Sequence, residues 1–385
     1  MHPDDVFTLR SAGDAQPSPD GQRIAYAVTD LDRGTDQARS SIWLVSADGD
    51  TPRRVTSPTF SSSEPRWSPD GRMLAFMSTR ERGPQIWLHR LGGSAPQPLT
   101  DVPGGVTGPP VWSPDGQRIV FTARASSAPP TNAAAPRVIR RLRYLLNGAG
   151  YIADAFWHVF VIRVGVDHPA TAVRLTSGEW HHFSPAWSPD GTRITCITTR
   201  RDEWDTEWVW DVYVLDAEDG DAAPCCLTDS RGTCAAPAWS PDGRWIAYFA
   251  NECPFTAYTR DYYLCLVPAA GGAARNVSRS LDRGCQVSQP PSNNEPPHWS
   301  ADSSTVFFHV REGGFYHYYT YQLDADSLRR VLAARDLQEP VAGVVRQSAD
   351  GRLLALAAAR RLVPAPPLAA GSVPAGVDNT RHFSH

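Results

Sequence analysis

The sequence predicts an all-β protein: a seven-bladed β-propeller of four-stranded antiparallel blades, with the last blade incomplete. Three observations predict it. A Ser-Pro-Asp-Gly tetrapeptide recurs at Ser18, Ser68, Ser113, Ser188 and Ser240, with degraded copies at Ser300–Ser303 and Ser348–Gly351. The copies step by 50, 45, 75, 52, 60 and 48 residues, the period of a unit that stacks on its neighbours. Each of the clearest copies is followed by a β-rich run alternating with period 2, which marks a strand.

Each element of the unit has a physical reason. Within the tetrapeptide, Pro presets φ at the second turn position, Asp tolerates a tight backbone, and Gly supplies φ > 0. Trp precedes the Ser in five copies, as Trp67, Trp112, Trp187, Trp239 and Trp299. A ring of that size can pack between neighbouring sheets. The strand after the turn reads clearly in Arg23–Val28, Met73–Met77 and Trp245–Phe249. A third strand follows at Ile42–Val45, Ile86–His89, Val159–Val164, Val212–Leu215, Leu264–Val267 and Tyr319–Leu323. Most of these run into a Gly- or Asp-containing turn such as Asp48-Gly49. A short fourth strand ends in Val55-Thr56, Leu99-Thr100, Leu175-Thr176, Leu227-Thr228, Val277-Ser278 and Val331-Leu332. One strand into the turn and three after it make a propeller blade.

The blades fall near residues 14–56, 64–100, 109–176, 184–228, 236–278, 296–332 and 340–361, within one domain spanning 1–361. The third blade carries an insertion at 123–157, and such loops gather on one rim and often carry function. The seventh has its turn and the strand Leu353–Ala358 but no third or fourth strand, unless residues 4–10 supply a closing one. An unpaired edge there predicts self-association. Residues 362–385 lose all periodicity and are expected to form a disordered tail.

Composition narrows the function. The chain has 385 residues, 41% of them apolar, and a formal net charge of −4. That near-neutral balance argues against a nucleic-acid partner. All 37 basic residues are Arg, which excludes Schiff-base and Walker-lysine chemistry. No apolar run reaches the length of a membrane-spanning helix, so no membrane partner is expected. The first twenty residues have no apolar core of a secretory signal, so a cytoplasmic location is expected. The seven Cys residues lie between 196 and 285 with no Cys-x-x-Cys spacing. They are expected to be reduced thiols, several buried in strands, with no metal site and no cofactor.

The Trp-Ser-Pro-Asp-Gly repeats with Ile-Ala-Phe-type strands resemble the propeller of acylaminoacyl-peptidases, in the prolyl oligopeptidase family of serine peptidases. Three stretches narrow the resemblance: Asp4–Gly21, Val138–Asp154 with His158–Val161 after it, and Ser280–Gly284. It covers residues 4–360. The resemblance implies a non-catalytic propeller that caps an active site and admits short peptides, with an α/β-hydrolase domain as its partner. The sequence departs from that family at the catalytic half. It contains no Gly-x-Ser-x-Gly elbow; Gly92–Pro96 comes nearest and lacks the last Gly. The expectation is a truncated propeller portion, inactive alone and with no catalytic residue. The alternative is a stand-alone propeller that binds a protein or peptide, resembling Tol-system propellers. A propeller enzyme with its own carboxylate site is disfavoured, because most Asp residues are used by turns.

The candidate contact residues for a peptide or partner domain are Arg140, Arg141, Arg143, Tyr144 and Tyr151 in the insertion, with Asp282 and Arg283 elsewhere. Arg suits bidentate carboxylate binding. His181 and His182 are expected in a polar inter-blade loop, since adjacent strand residues face opposite ways and make poor co-ligands. The acidic stretch Asp202, Glu203, Asp205 and Glu207, with Trp204 and Trp208, reads as a solvated loop or a partner contact. The run Phe315–Tyr321 reads as a strand.

Overall fold

A computed structural model describes residues 3–49, 51–80, 83–93, 95–125, 139, 141–146, 150–151, 155–165, 171–220, 222–254, 261–285, 295–312, 315–332, 345–347 and 354–356. These residues form six four-stranded antiparallel blades in sequence order. Blade one is β1 Arg10–Pro17, β2 Arg23–Asp32, β3 Gln37–Ser46 and β4 Arg53–Arg54. Blade two is β5 Ser61–Trp67, β6 Met73–Arg80, β7 Gly83–Arg90 and β8 Gln97–Pro98. Blade three is β9 Val106–Trp112, β10 Arg118–Ala125, β13 Phe156–Arg163 and β14 Val173–Arg174. Between β10 and β13 lies the insertion, with a short hairpin of β11 Leu145–Leu146 and β12 Gly150–Tyr151. Blade four is β15 His182–Trp187, β16 Arg193–Thr198, β17 Asp211–Asp216 and β18 Cys225–Cys226. Blade five is β19 Cys234–Trp239, β20 Trp245–Ala250, β21 Tyr263–Pro268 and β22 Arg275–Asn276. Blade six is β23 His298–Trp299, β24 Thr305–Glu312, β25 Phe315–Gln322 and β26 Ser327–Leu332.

The count corrects the expectation of seven. The described residues give six four-stranded blades and, after them, a two-stranded sheet of β27 Val345–Gln347 and β28 Leu354–Leu356. The seventh turn signature, Ser348–Gly351, and the tail 362–385 lie outside the described residues. The reason is that β27 and β28 are three residues each and, among the described residues, pair only with each other. Residues 4–10 do not supply a closing strand either. Pro3–Thr8 forms a 3₁₀ turn against β2, and β1 already belongs to blade one. No helix among the described residues is long and apolar enough to cross a membrane.

The repeated turn is built identically six times. The Ser hydroxyl donates to the Asp carboxylate at 2.5–2.6 Å. That carboxylate accepts the backbone N–H two residues on, at 3.0 Å in every blade. The Ser oxygen in turn accepts the N–H of the first residue of the next strand, as from Arg193 at 2.9 Å. These bonds hold the carboxylates below their ordinary pKa, Asp190 and Asp302 at about 2. Ser303 replaces Gly in the sixth copy and still takes a left-handed φ of 63°.

Two further devices join the strands and blades. The closing Thr or Ser lies just beyond the two-residue fourth strand. Its oxygen accepts a third-strand N–H: Thr56 from Ile42, Thr100 from Ile86, Thr176 from Val159, Thr228 from Val212 and Ser278 from Leu264, all at 2.8–3.0 Å. The repeat Trp bridges neighbouring blades, as its size predicts. The indole N–H donates to a carbonyl of the preceding blade: Trp67 to Gln16, Trp112 to Arg66, Trp187 to Val111 and Trp299 to Ala238, at 2.9–3.1 Å. The core is the set of apolar layers between blades, such as Ile119, Phe121 and Ile86 between blades two and three. Another is Val306, Phe308, Leu264 and Phe249 between blades five and six.

The first strands of blades one to five line a central channel, and they are irregular. A bulge breaks the pairing of each. Asp14, Glu64, Gly108, Ser184 and Ala236 sit in these bulges at φ of 50–78°. In blades two to five the left-handed residue precedes a proline: Pro65, Pro109, Pro185 and Pro237. Glu295-Pro296 continues the series in blade six.

Candidate functional site

The channel is a cavity of about 1060 Å³. Its wall includes Gln16, Glu64, Arg66 and the prolines at 109, 110, 185, 237 and 296. At its waist the carboxylate of Asp14, 2% exposed, accepts from Arg66 Nη1 at 2.8 Å and from Gln16 Nε2 at 2.6 Å. Burial alone would lower the pKa of the Arg66 guanidinium. The carboxylates of Asp14, Glu64 and Glu295 outweigh it and raise the value. The waist therefore gathers three carboxylates around one arginine. Among the described residues no group of three or more His, Cys, Asp or Glu is arranged to hold a metal ion.

The opposite end from the Ser-Pro-Asp-Gly turns is the mouth, and the insertion reaches it. Asp205, between β16 and β17, accepts the backbone N–H of Leu142 at 2.6 Å and of Arg143 at 2.9 Å. The Arg143 guanidinium donates to the Glu207 carbonyl and lies 4.1 Å from the centre of the Trp208 ring. Arg141 pairs with Glu179 and stands over Phe156 at 4.9 Å and Trp204 at 5.4 Å. Within residues 202–207, read as a solvated loop or a partner contact, Asp202 and Glu203 are exposed, and Asp205 and Glu207 hold the insertion instead. The stretch is the intramolecular anchor of the insertion, because its carboxylate and rings match amides and guanidinium groups within reach.

The histidines also need correction. His181 and His182 are buried, 5% and 0% exposed, at the start of β15. They do not lie in a polar loop, because aromatic packing rather than solvent surrounds them. His181 is flanked by Trp157 at 4.6 Å, Phe156 at 5.0 Å, and Phe183 and Trp204 at 5.9 Å. Its Nδ1 accepts the Trp157 backbone N–H at 3.3 Å. His182 Nδ1 faces the carbonyls of Trp180 at 3.1 Å and Trp157 at 3.3 Å, and its ring lies 5.4 Å from that of His158. Burial first, then nearby positive charge, depresses all three: His158 to about 4, His181 and His182 to about 3.

The structure brings together only part of the predicted site. Arg143 lines the channel. Arg141 and a half-buried Tyr144 flank it in sequence. Tyr151 ends β12, opposite Leu145, and Arg140 lies outside the described residues. Asp282 and Arg283 stand apart, on the loop between blades five and six. Arg283 donates to the Asp282 carbonyl at 2.6 Å, and neither residue lines the channel. Sequence reasoning missed the waist residues Asp14, Glu64, Arg66 and Glu295. A signal for one of them was present: in blades two to five the residue before the first-strand proline lines the channel, and in blade two it is Glu64.

Comparisons with known proteins agree with this architecture. Residues 11–138 match the TolB beta propeller domain. The uncharacterized peptidase YuxL of Bacillus subtilis is 32% identical over 220 residues, covering 55% of this chain and 33% of the relative. The fold matches the Mycobacterium tuberculosis puromycin-hydrolyzing peptidase with a TM-score of 0.63 and 16% identity, over 91% of this chain and 50% of that one. It also matches the Pyrococcus horikoshii acylaminoacyl peptidase with a TM-score of 0.61 and 16% identity, over 85% of this chain and 47% of that one. The chain is thus a propeller similar to those of larger peptidases and to TolB-type propellers. It spans from a third to half of the length of these peptidases.

Proposed function

We propose that this chain is the non-catalytic, substrate-gating propeller of an acylaminoacyl-peptidase-type serine peptidase, acting with an α/β-hydrolase domain and giving no turnover by itself. The observation that carries the reading is the channel. A walled bore of about 1060 Å³ with charged groups at its waist and an aromatic mouth suits an extended peptide and excludes a folded protein. The similarity to peptidase propellers along most of the chain supports it. So does the absence of a Gly-x-Ser-x-Gly elbow from the sequence.

The same reading carries a seventh blade between blades six and one. Two facts support it. β27 and β28 contact β1. Ile24, Tyr26, Val28 and Trp43 are at most 5% exposed on the face of blade one that turns away from blade two.

The test is calorimetric titration of the purified 385-residue chain with peptides of three to five residues and with unfolded casein, alongside an acetyl-alanine p-nitroanilide assay. Saturable binding of the short peptides only, with no hydrolysis, is the expected result. Turnover would refute the non-catalytic role, and failure of every peptide to bind would refute the peptide channel. The TolB-type match favours a second reading, a stand-alone scaffold for a protein partner. It would show instead as binding of long chains as tightly as short ones.

A further inference from the structure

We propose that the mouth of the channel is a carboxylate subsite, which holds a peptide carboxylate beside an aromatic or large apolar side chain. The proposal rests on the peptide-channel reading and adds which end, and which side chain, the channel selects.

Five side chains at the mouth carry it: Arg143, His181, Trp157, Phe183 and Trp208, all of which line the cavity. Arg143 is set in advance. Its backbone N–H is tied to Asp205, and its guanidinium rests on the Glu207 carbonyl and the Trp208 ring. A donor fork held in place loses little freedom when it takes a two-oxygen acceptor. His181 supplies a second donor. Its Nδ1 accepts the Trp157 N–H, so the neutral ring carries its proton on Nε2.

The surroundings select the sign of charge. Arg124 stands over Trp157 at 5.6 Å, and Arg141 stands over Phe156 and Trp204, the rings that also pack on His181. Arg141 is paired with Glu179, so Arg143 and Arg124 are the guanidinium groups that favour an anion beside the neutral imidazole. Arginine meets a carboxylate through two parallel hydrogen bonds. The wall beside these donors is aromatic, with Trp157, Phe183 and Trp208 in reach, and it suits a ring or a large apolar side chain. At the waist, three carboxylates around Arg66 reverse the charge. An extended peptide therefore lies with its carboxylate at the mouth.

A C-terminal carboxylate and an Asp or Glu side chain share this chemistry, and the titration separates them. The probes are acetyl-Ala-Ala-Phe, its carboxamide, acetyl-Ala-Asp-Phe carboxamide and acetyl-Ala-Ala-Ala, added to the full chain. The free acid ending in Phe is expected to bind about tenfold tighter than its carboxamide and tighter than the acid ending in Ala. If the Asp-containing carboxamide matches the free acid, the subsite stands and takes side-chain carboxylates as well. Arg143→Gln is expected to erase the preference for acid over amide, and Arg143→Lys to keep part of it. Equal binding of acid and amide by the wild-type chain would overturn the subsite while leaving the channel reading intact. Survival of the preference in Arg143→Gln would also overturn it. If no peptide binds, the channel reading itself falls. Arg143→Lys and the wild-type comparison decide the matter if Arg143→Gln does not fold.

Discussion

At the scale of single residues, the repeat works through a few short side chains. Replacing Ser188 with Ala leaves the Arg193 N–H without its acceptor and Asp190 with one hydroxyl donor, Thr192, in place of two. The expected cost is about 1–2 kcal/mol, read as a lower denaturation midpoint with an unchanged slope. The three buried histidines set an acid limit. Their folded pKa values of about 3–4 lie below the ordinary value of 6.5. Below pH 6.5 the unfolded chain therefore binds more protons, and stability falls as the pH drops towards 4. Thermal melts across that range should show the decline, and His182→Phe should make it shallower. The cysteines divide by burial. Cys196, Cys234, Cys265 and Cys285 are buried, and burial pushes the Cys196 and Cys265 thiols up to about 12. A thiol reagent should label Cys225 and Cys226 in the native chain and reach the buried four only on unfolding.

At the scale of elements, the strands and turns were legible in the sequence because their causes are local. Pro, Asp and Gly each act on one turn, and alternation needs only neighbouring residues. The site was less legible because its causes are not local. Arg143 reads as a candidate contact, but nothing near it in sequence shows that Asp205, sixty-two residues later, holds its backbone. His181 reads as polar until four rings from three chain segments close around it. The Thr of each Leu-Thr closer looks like the end of a strand, yet its hydroxyl replaces a strand bond that the backbone no longer makes. The insertion gives the test at this scale. Asp205→Ala frees two amides, so trypsin is expected to cut after Arg141 and Arg143 several times faster. The melting temperature should change little, since the blades do not share those bonds.

At the scale of the whole molecule, the order of strands decides how the ring is held. Blade one takes all four strands from residues 10–54. Among the described residues no C-terminal strand pairs with it, and β27 and β28 touch β1 without joining its sheet. Hydrogen exchange should therefore be fastest in β1 and β2 and slowest in β10, β16 and β20, which lie in the middle of the array. A uniform pattern across all six blades would contradict this. Sedimentation over a hundredfold range of concentration tests whether this junction also draws two copies together.

The bulged first strands have a consequence for anything that travels through the bore. A regular strand edge would offer a passing peptide a row of backbone partners, and the peptide would zip onto it as an extra strand. Here the row is interrupted in blade after blade by a left-handed residue, and the prolines after it have no N–H to give. The wall is therefore slippery to main chain. A threaded peptide is gripped at its ends and side chains, where charge and aromatic rings stand, and slides freely in between. Exchange of one peptide for the next is then quick, even through a narrow passage.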